Sequence, residues 1–143
     1  MNAKGGCLCG AVRFDARDVD VHFHACRCSM CQRWCGGPGF AAVVGDVVFD
    51  DETALVRYAS SDWAERGFCG RCGSSLFYFL KPIAQFNFQV GTFDDSTVFA
   101  LAGEIFVDEP NPEFAFAGDH PRQTGAEVIA AAGFTEDGEL VDE

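Results

Sequence analysis

Glu65-Arg66-Gly67-Phe68-Cys69-Gly70-Arg71-Cys72-Gly73-Ser74-Ser75-Leu76-Phe77-Tyr78-Phe79-Leu80 is the stretch that decides how this chain folds. Two strand-like runs, Glu65 to Phe68 and Ser75 to Leu80, flank a pair of cysteines two residues apart. Cys69-Gly70-Arg71-Cys72-Gly73 has the form of a metal-binding knuckle. Its turn would wrap one ion, and Gly73 can take the left-handed conformation that aims backbone N–H groups at sulfur. Strands with such a knuckle between them point to a β domain stapled by metal.

The other cysteines extend the pattern. The chain has eight, and seven fall in clusters: Cys7-x-Cys9, Cys26-x-Cys28-x2-Cys31 and Cys69-x2-Cys72, with Cys35 apart. Thiolate is the softest protein ligand, and pairs one or two residues apart can bite a single tetrahedral ion without moving the backbone. Two pairs supply four ligands and close one site. The triplet supplies three, leaving a second ion with an open position for substrate or water. Spacing alone leaves the pairing open, since Cys28 and Cys31 would equally join Cys69 and Cys72 in an ordinary zinc ribbon. Cys35 lies four residues after Cys31, so one helical turn would put both thiols on one face and offer a fourth ligand. It reads more simply as a small buried thiol.

Bulk properties narrow the classes. At 143 residues, 48% hydrophobic and 22% charged, the chain is expected to form one domain over residues 1–134. An acidic, mobile tail is expected over 135–143. Met1-Asn2-Ala3-Lys4-Gly5-Gly6-Cys7 has no apolar run and no stretch approaches membrane-spanning length, so a cytoplasmic location is expected. Thiols stay reduced there, which favours metal over disulfides. The net charge of −12 and pI of 4.4 argue against nucleic acid or an anionic membrane as partner. That charge is unevenly placed. Residues 24 to 45 and 67 to 93 contain no acid, whereas residues 94 to 143 are acidic with Arg122 as their one base. Repulsion between carboxylates and metal-bound thiolates accounts for this; a local positive field for an anionic substrate is the sharper reading.

The 15 Phe and 16 Gly suit short strands and tight turns. Strands are expected at Ala11 to Asp15, Val21 to Ala25, Phe40 to Val44, Val47 to Phe49, Leu55 to Ala59 and Phe86 to Val90. Two more are expected at Thr97 to Ala100 and Glu104 to Val107. Helix is scarce: one or two turns over Ser29 to Cys35, and a short helix near the end. There Thr124 and Glu127 form a capping box before Val128-Ile129-Ala130-Ala131-Ala132, and Gly133 can end the helix.

Three motifs carry a resemblance. Gly6-Cys7-Leu8-Cys9-Gly10-Ala11-Val12-Arg13-Phe14, Cys26-Arg27-Cys28-Ser29-Met30-Cys31 and Phe68-Cys69-Gly70-Arg71-Cys72-Gly73-Ser74-Ser75-Leu76-Phe77 occur in order. Together they resemble the glutathione-dependent formaldehyde-activating enzyme (GFA) family, which includes centromere protein V. The likeness runs from about residue 5 to residue 107, and Gly118-Asp119-His120-Pro121-Arg122 is also similar. The resemblance implies a mainly β, β-tent fold of packed antiparallel sheets with a short C-terminal helix. It implies two Zn2+ ions, a structural one on Cys7, Cys9, Cys69 and Cys72 and an open one on Cys26, Cys28 and Cys31. Many members carry His where this chain has Arg27, and Cys35 is extra to the motif.

The implied activity is that of a carbon–sulfur lyase acting on thiol adducts. A small thiol such as glutathione and an aldehyde would be its partners, as in S-hydroxymethylglutathione formation. The alternative is a non-catalytic zinc-stabilised binding or scaffold module. His22 and His24 share one face of a predicted strand just before the triplet, and His120 reads as a turn residue. Arg27, Arg33 and Arg71 are candidates to clamp carboxylates.

Overall fold

A computed structural model of the chain describes residues 1–135. The expected acidic tail therefore lies, apart from Thr135, outside the described residues. The chain divides into two compact units. The first comprises Met1–Phe23 and Phe40–Ala100; the second comprises His24–Gly39 and the chain from Leu101 onward.

In the first unit, β1 (Ala3–Gly6), β2 (Arg13–Arg17) and β5 (Asp46–Phe49) form a three-stranded antiparallel sheet in the order β1-β2-β5. Val12, Phe14 and Ala16 are buried while Arg13, Asp15 and Arg17 alternate with them, which gives this sheet one apolar face. A second antiparallel run contains β4 (Gly39–Val44), β6 (Leu55–Ala59), β7 (Ala64–Cys69), β8 (Ser75–Leu80) and β9 (Gln85–Gln89), in the order β4-β9-β8-β7-β6.

Phenylalanines join the two sheets. The Phe14 ring of β2 meets Phe88 of β9 at 4.5 Å between centroids, and Phe49 of β5 meets Phe77 of β8 at 5.9 Å. Phe14, Phe77, Phe88, Leu76 and Cys69 belong to one buried cluster, so the knuckle after β7 is rooted in the core. Gly67 is glycine because a Cβ there would sit 2.2 Å from the Phe77 ring. The β7–β8 register shifts between Gly67 and Phe68, just before Cys69.

β3 (His22–Cys26) carries the chain into the second unit, which contains α1 (Ser29–Cys35), β10 (Ala100–Ile105), β11 (Arg122–Gln123) and α2 (Gly125–Ala131). β10 and β11 pair in parallel, setting Glu104 opposite Arg122. α2 starts as expected, with Thr124 Oγ1 accepting the Glu127 N–H at 3.2 Å. Gly133 follows its end with φ of 81°.

The mainly β class with a short terminal helix is what the chain adopts, with several local differences. β2 starts at Arg13 rather than Ala11, and the strand expected over Glu104 to Val107 is the end of β10, which stops at Ile105. Thr97 to Ala100 is not a strand. The Asp95 carboxylate accepts from both the backbone N–H and hydroxyl of Thr97 and closes a 3-10 turn over Ser96–Val98; the strand begins only at Ala100. β1 was not expected, because Gly5 and Gly6 have weak strand propensity. It exists through close pairing, since a Cβ on Gly5 would lie 2.3 Å from the Thr92 carbonyl. The two-residue β11 carries no propensity signal either. No helix among the described residues is long and apolar enough to cross a membrane.

Candidate metal centres

The first unit brings Cys7, Cys9, Cys69 and Cys72 together, all four sulfurs lying within 4.8 Å of one another. Cys7 and Cys9 follow β1, Cys69 ends β7 and Cys72 lies in the turn after it. Measured separations are 3.6 Å for Cys7–Cys9 and 3.8 Å for Cys9–Cys69. A tetrahedral ion with metal–sulfur bonds of about 2.3 Å has sulfur–sulfur edges of about 3.8 Å, so the donors fit zinc in both chemistry and spacing.

Local backbone builds this cluster. Gly10 and Gly73, with φ of 81° and 78°, turn the chain tightly after each pair. The Val12 N–H points at Cys7 Sγ at 3.2 Å, and the Arg71 and Cys72 N–H groups point at Cys69 Sγ at 3.4 and 3.5 Å. Ser74 accepts the Leu8 N–H at 3.0 Å and lies 3.2 Å from Cys72 Sγ, tying one knuckle to the other. The Ser74 hydroxyl and N–H bring the Cys72 thiol down to about 5. Burial pushes the Cys7 thiol up, but the Val12 N–H and the Cys9 and Cys69 thiols outweigh it, and the net direction is down. The Ala11 N–H pulls Cys9 down, yet burial and the thiols of Cys7, Cys72 and Cys69 carry it up to about 11.

The second unit brings Cys26, Cys28 and Cys31 together, again within 4.8 Å. Cys26 ends β3. Cys28 is the N-cap of α1, its sulfur accepting the Cys31 N–H at 3.3 Å, and Cys31 is buried in the first turn. Thiol neighbours Cys28 and Cys31, then burial, push the Cys26 thiol up strongly. Among the described His, Cys, Asp and Glu residues, no fourth donor joins this group. Cys35 closes α1 but stands outside it. A Cβ on Gly39 would lie 3.4 Å from Cys31 Sγ and 3.7 Å from Cys35 Sγ, so glycine leaves both sulfurs room.

Sequence distance hid what surrounds the triplet. Glu104 on β10 is only 1% exposed, and its carboxylate accepts from Arg27 Nη1 at 3.0 Å, His120 Nε2 at 2.6 Å and Arg122 Nε at 2.9 Å. Glu109 accepts the Ser29 N–H at 2.6 Å. A stretch free of acids in sequence thus has two carboxylates against it in space. His120, expected as a turn residue, is nine-tenths buried on Glu104. His22 and His24 are exposed and join neither sulfur group; His22 lies beside Asp20 at 3.4 Å. Arg33 and Arg71 are exposed, whereas Arg27 is not free to clamp a substrate carboxylate, being committed to Glu104.

The sequence profile of the family described as "Glutathione-dependent formaldehyde-activating enzyme" matches residues 2–109. The chain belongs to this GFA family. That match includes all seven clustered cysteines and ends at Glu109, short of His120. A protein of Halomonas elongata named "Putative glutathione-dependent formaldehyde-activating enzyme" is 41% identical over 91 residues, covering 55% of this chain and 57% of its own. A Schizosaccharomyces pombe protein named as an uncharacterized lyase is 35% identical over 77 residues, covering 52% and 56% respectively. The chain thus spans little more than half the length of these relatives. Among solved structures, a Rhodobacter sphaeroides protein from a structural-genomics programme aligns with TM-score 0.56 at 23% identity. That alignment covers 64% of this chain and 87% of the other, a likeness of fold.

Proposed function

We propose that this GFA-family chain is a zinc-dependent carbon–sulfur lyase-type enzyme that joins a small thiol, such as glutathione, to an aldehyde. The observation that carries the reading is the contrast between the two sulfur groups: four converging donors in one unit, three in the other. Cys7, Cys9, Cys69 and Cys72 would hold a structural ion, and Cys26, Cys28 and Cys31 one with a position to spare. A zinc ion at the triplet would supply ionisation of an incoming thiol at neutral pH.

The chain's own groups do the rest. Cys28 and Cys31 are set one helical turn apart by the α1 cap, and Cys26 is set beside them by the end of β3. Among the described residues no fourth His, Cys, Asp or Glu donor groups with these three sulfurs, which supports reading the remaining position as the one a thiol would take. In the reaction the sulfur forms a bond to the carbonyl carbon, the C=O π bond opens onto oxygen, and the proton released by the thiol ends on that oxygen. No redox partner is needed.

The test is exchange between formaldehyde hydrate and S-hydroxymethylglutathione, followed by NMR with 13C-formaldehyde and zinc-loaded protein. Acceleration above the uncatalysed rate, lost in Cys28→Ser while that variant is still folded at the assay temperature, supports the enzyme. No acceleration by protein carrying two zinc ions would leave the binding-module reading in its place.

A further inference from the structure

Arg27 separates two of the three clustered cysteines, and it is held from four directions within the second unit. Its guanidinium donates to the buried Glu104 at 3.0 Å and lies 4.1 Å above the Phe114 ring centroid. Its backbone N–H donates to the Ile105 carbonyl at 3.0 Å. Its carbonyl accepts from Gln32 Nε2 at 3.0 Å and Asn111 Nδ2 at 3.1 Å. Gln32 also reaches the Pro110 carbonyl, and Asn111 the Glu109 carbonyl, so both amides bridge the Cys26–Cys28 turn to the segment after β10.

A buried ionic group of this kind is weak support for stability, since desolvation offsets much of the attraction between its charges. Its composition suits another task. Glu104 contributes one negative charge and Arg27 and Arg122 one positive charge each, so the group is net positive before His120 is counted. Three thiolates around a divalent ion are net negative. Arg27 Nε is moreover buried without a hydrogen-bond partner, which is costly unless a negative charge compensates it.

We propose that Glu104, acting through Arg27, is the positioning residue of the Cys26–Cys28–Cys31 site. It fixes the turn that spaces two of the sulfurs and anchors the positive charge that offsets theirs. This rests on the reading of the triplet as a metal site. Glu104 touches no sulfur-bound group in the structure and is not catalytic. Removing it loosens the metal at the triplet and spares the metal at Cys7, Cys9, Cys69 and Cys72.

The experiment uses full-length protein as purified with zinc. Graded addition of a chromophoric chelator gives the release curve of each zinc, and Cys28→Ser assigns the triplet's share. In Glu104→Gln and Arg27→Met, the affinity of the triplet zinc is expected to fall tenfold or more, with the four-sulfur zinc retained and the melting temperature of the loaded protein nearly unchanged. Arg27→Lys, which keeps charge but loses the planar fork, is expected to recover part of the loss. A role confined to folding would lower the melting temperature and leave the triplet's release curve where it was. Variants that hold the triplet zinc within twofold of wild type overturn the proposal alone. Wild-type protein that carries a single zinc overturns the metal reading as well. Should Glu104→Gln fail to fold, Asn111→Ala with Gln32→Ala decides. Removal of these half-buried amide clamps is expected to weaken the triplet zinc at least threefold, and no change refutes positioning through Arg27.

Discussion

Stripping metal from the Cys7, Cys9, Cys69 and Cys72 cluster is expected to destabilise the first unit far more than emptying the triplet affects the second. An ion on the four sulfurs ties Cys9 to Cys69, sixty positions away. Treated as a cross-link, a loop of roughly 60 residues contributes about 4 kcal/mol through the entropy it removes from the unfolded chain. The same relation gives about 2 kcal/mol for the roughly six-residue loop from Cys26 to Cys31. Domains are stable by about 5–15 kcal/mol, so the first loss is a large part of the whole. At about 3 °C per kcal/mol for a chain of this length, the melting temperature should drop by about 12 °C or more. The measurement is calorimetric melting of zinc-loaded and chelator-stripped protein, with metal content determined in both. Cys9→Ser should lose about 12 °C, less than the fully stripped protein, and Cys28→Ser about half as much as Cys9→Ser at most. A metal-free protein melting within about 3 °C of the loaded one would refute the reasoning, as would equal losses in the two variants.

Three further outcomes are expected. Gly67→Ala drives a Cβ into the fully buried Phe77 ring, 2.2 Å away, and should cost about 1–3 kcal/mol in urea unfolding; a neutral result would mean the β7–β8 bulge yields easily. Burial raises the Glu104 carboxyl, but the His120 and Arg27 donors and the Arg122 charge outweigh it and hold the carboxyl below its ordinary 4.5. Stability from a carboxyl lowered in this way is fully present above about pH 4.5 and lost as pH falls through the folded value. Wild type should therefore lose stability more steeply than Glu104→Gln on acidification below that pH, and parallel profiles would contradict it. Cys35→Ser should leave two zinc ions per chain by elemental analysis, because the Cys35 sulfur stands outside the triplet; loss of one ion would place it among the ligands.

The legible parts of the fold were those encoded over a few neighbouring residues. Leu55–Ala59 and Ser75–Leu80 were read to the residue, because their apolar runs are bounded by turn signals on both sides. Thr124, Glu127 and Gly133 marked the last helix because caps act within one turn. Thr97 and Val98 misled, since their β-branched side chains suit a strand while Asp95 bends the same residues into a 3-10 turn. β1 was invisible for the opposite reason. Its glycines have little strand preference, and only the nearby Phe14 ring and Thr92 carbonyl explain why nothing larger fits there.

The two sulfur groups divide along the same line. Ligand spacing is a local property, and each cluster was visible as a motif; which pairs converge is a property of topology, and spacing left it open. The setting of the triplet was beyond local reading altogether. Glu104 stands 77 positions from Arg27, and nothing in Ala102-Gly103-Glu104-Ile105 distinguishes that acid from the surrounding surface carboxylates. Yet Arg27 itself was visible in the sequence as a charged residue set between two of the clustered cysteines. A long cation inserted between two clustered thiols needs a partner to fix its charge and its direction. The fold answers with the one carboxylate in the second unit that is almost fully buried among the described residues. A charged residue inside a local motif thus points to a distant partner whose own sequence context is silent, and that partner, rather than the motif, is the group proposed to position the triplet.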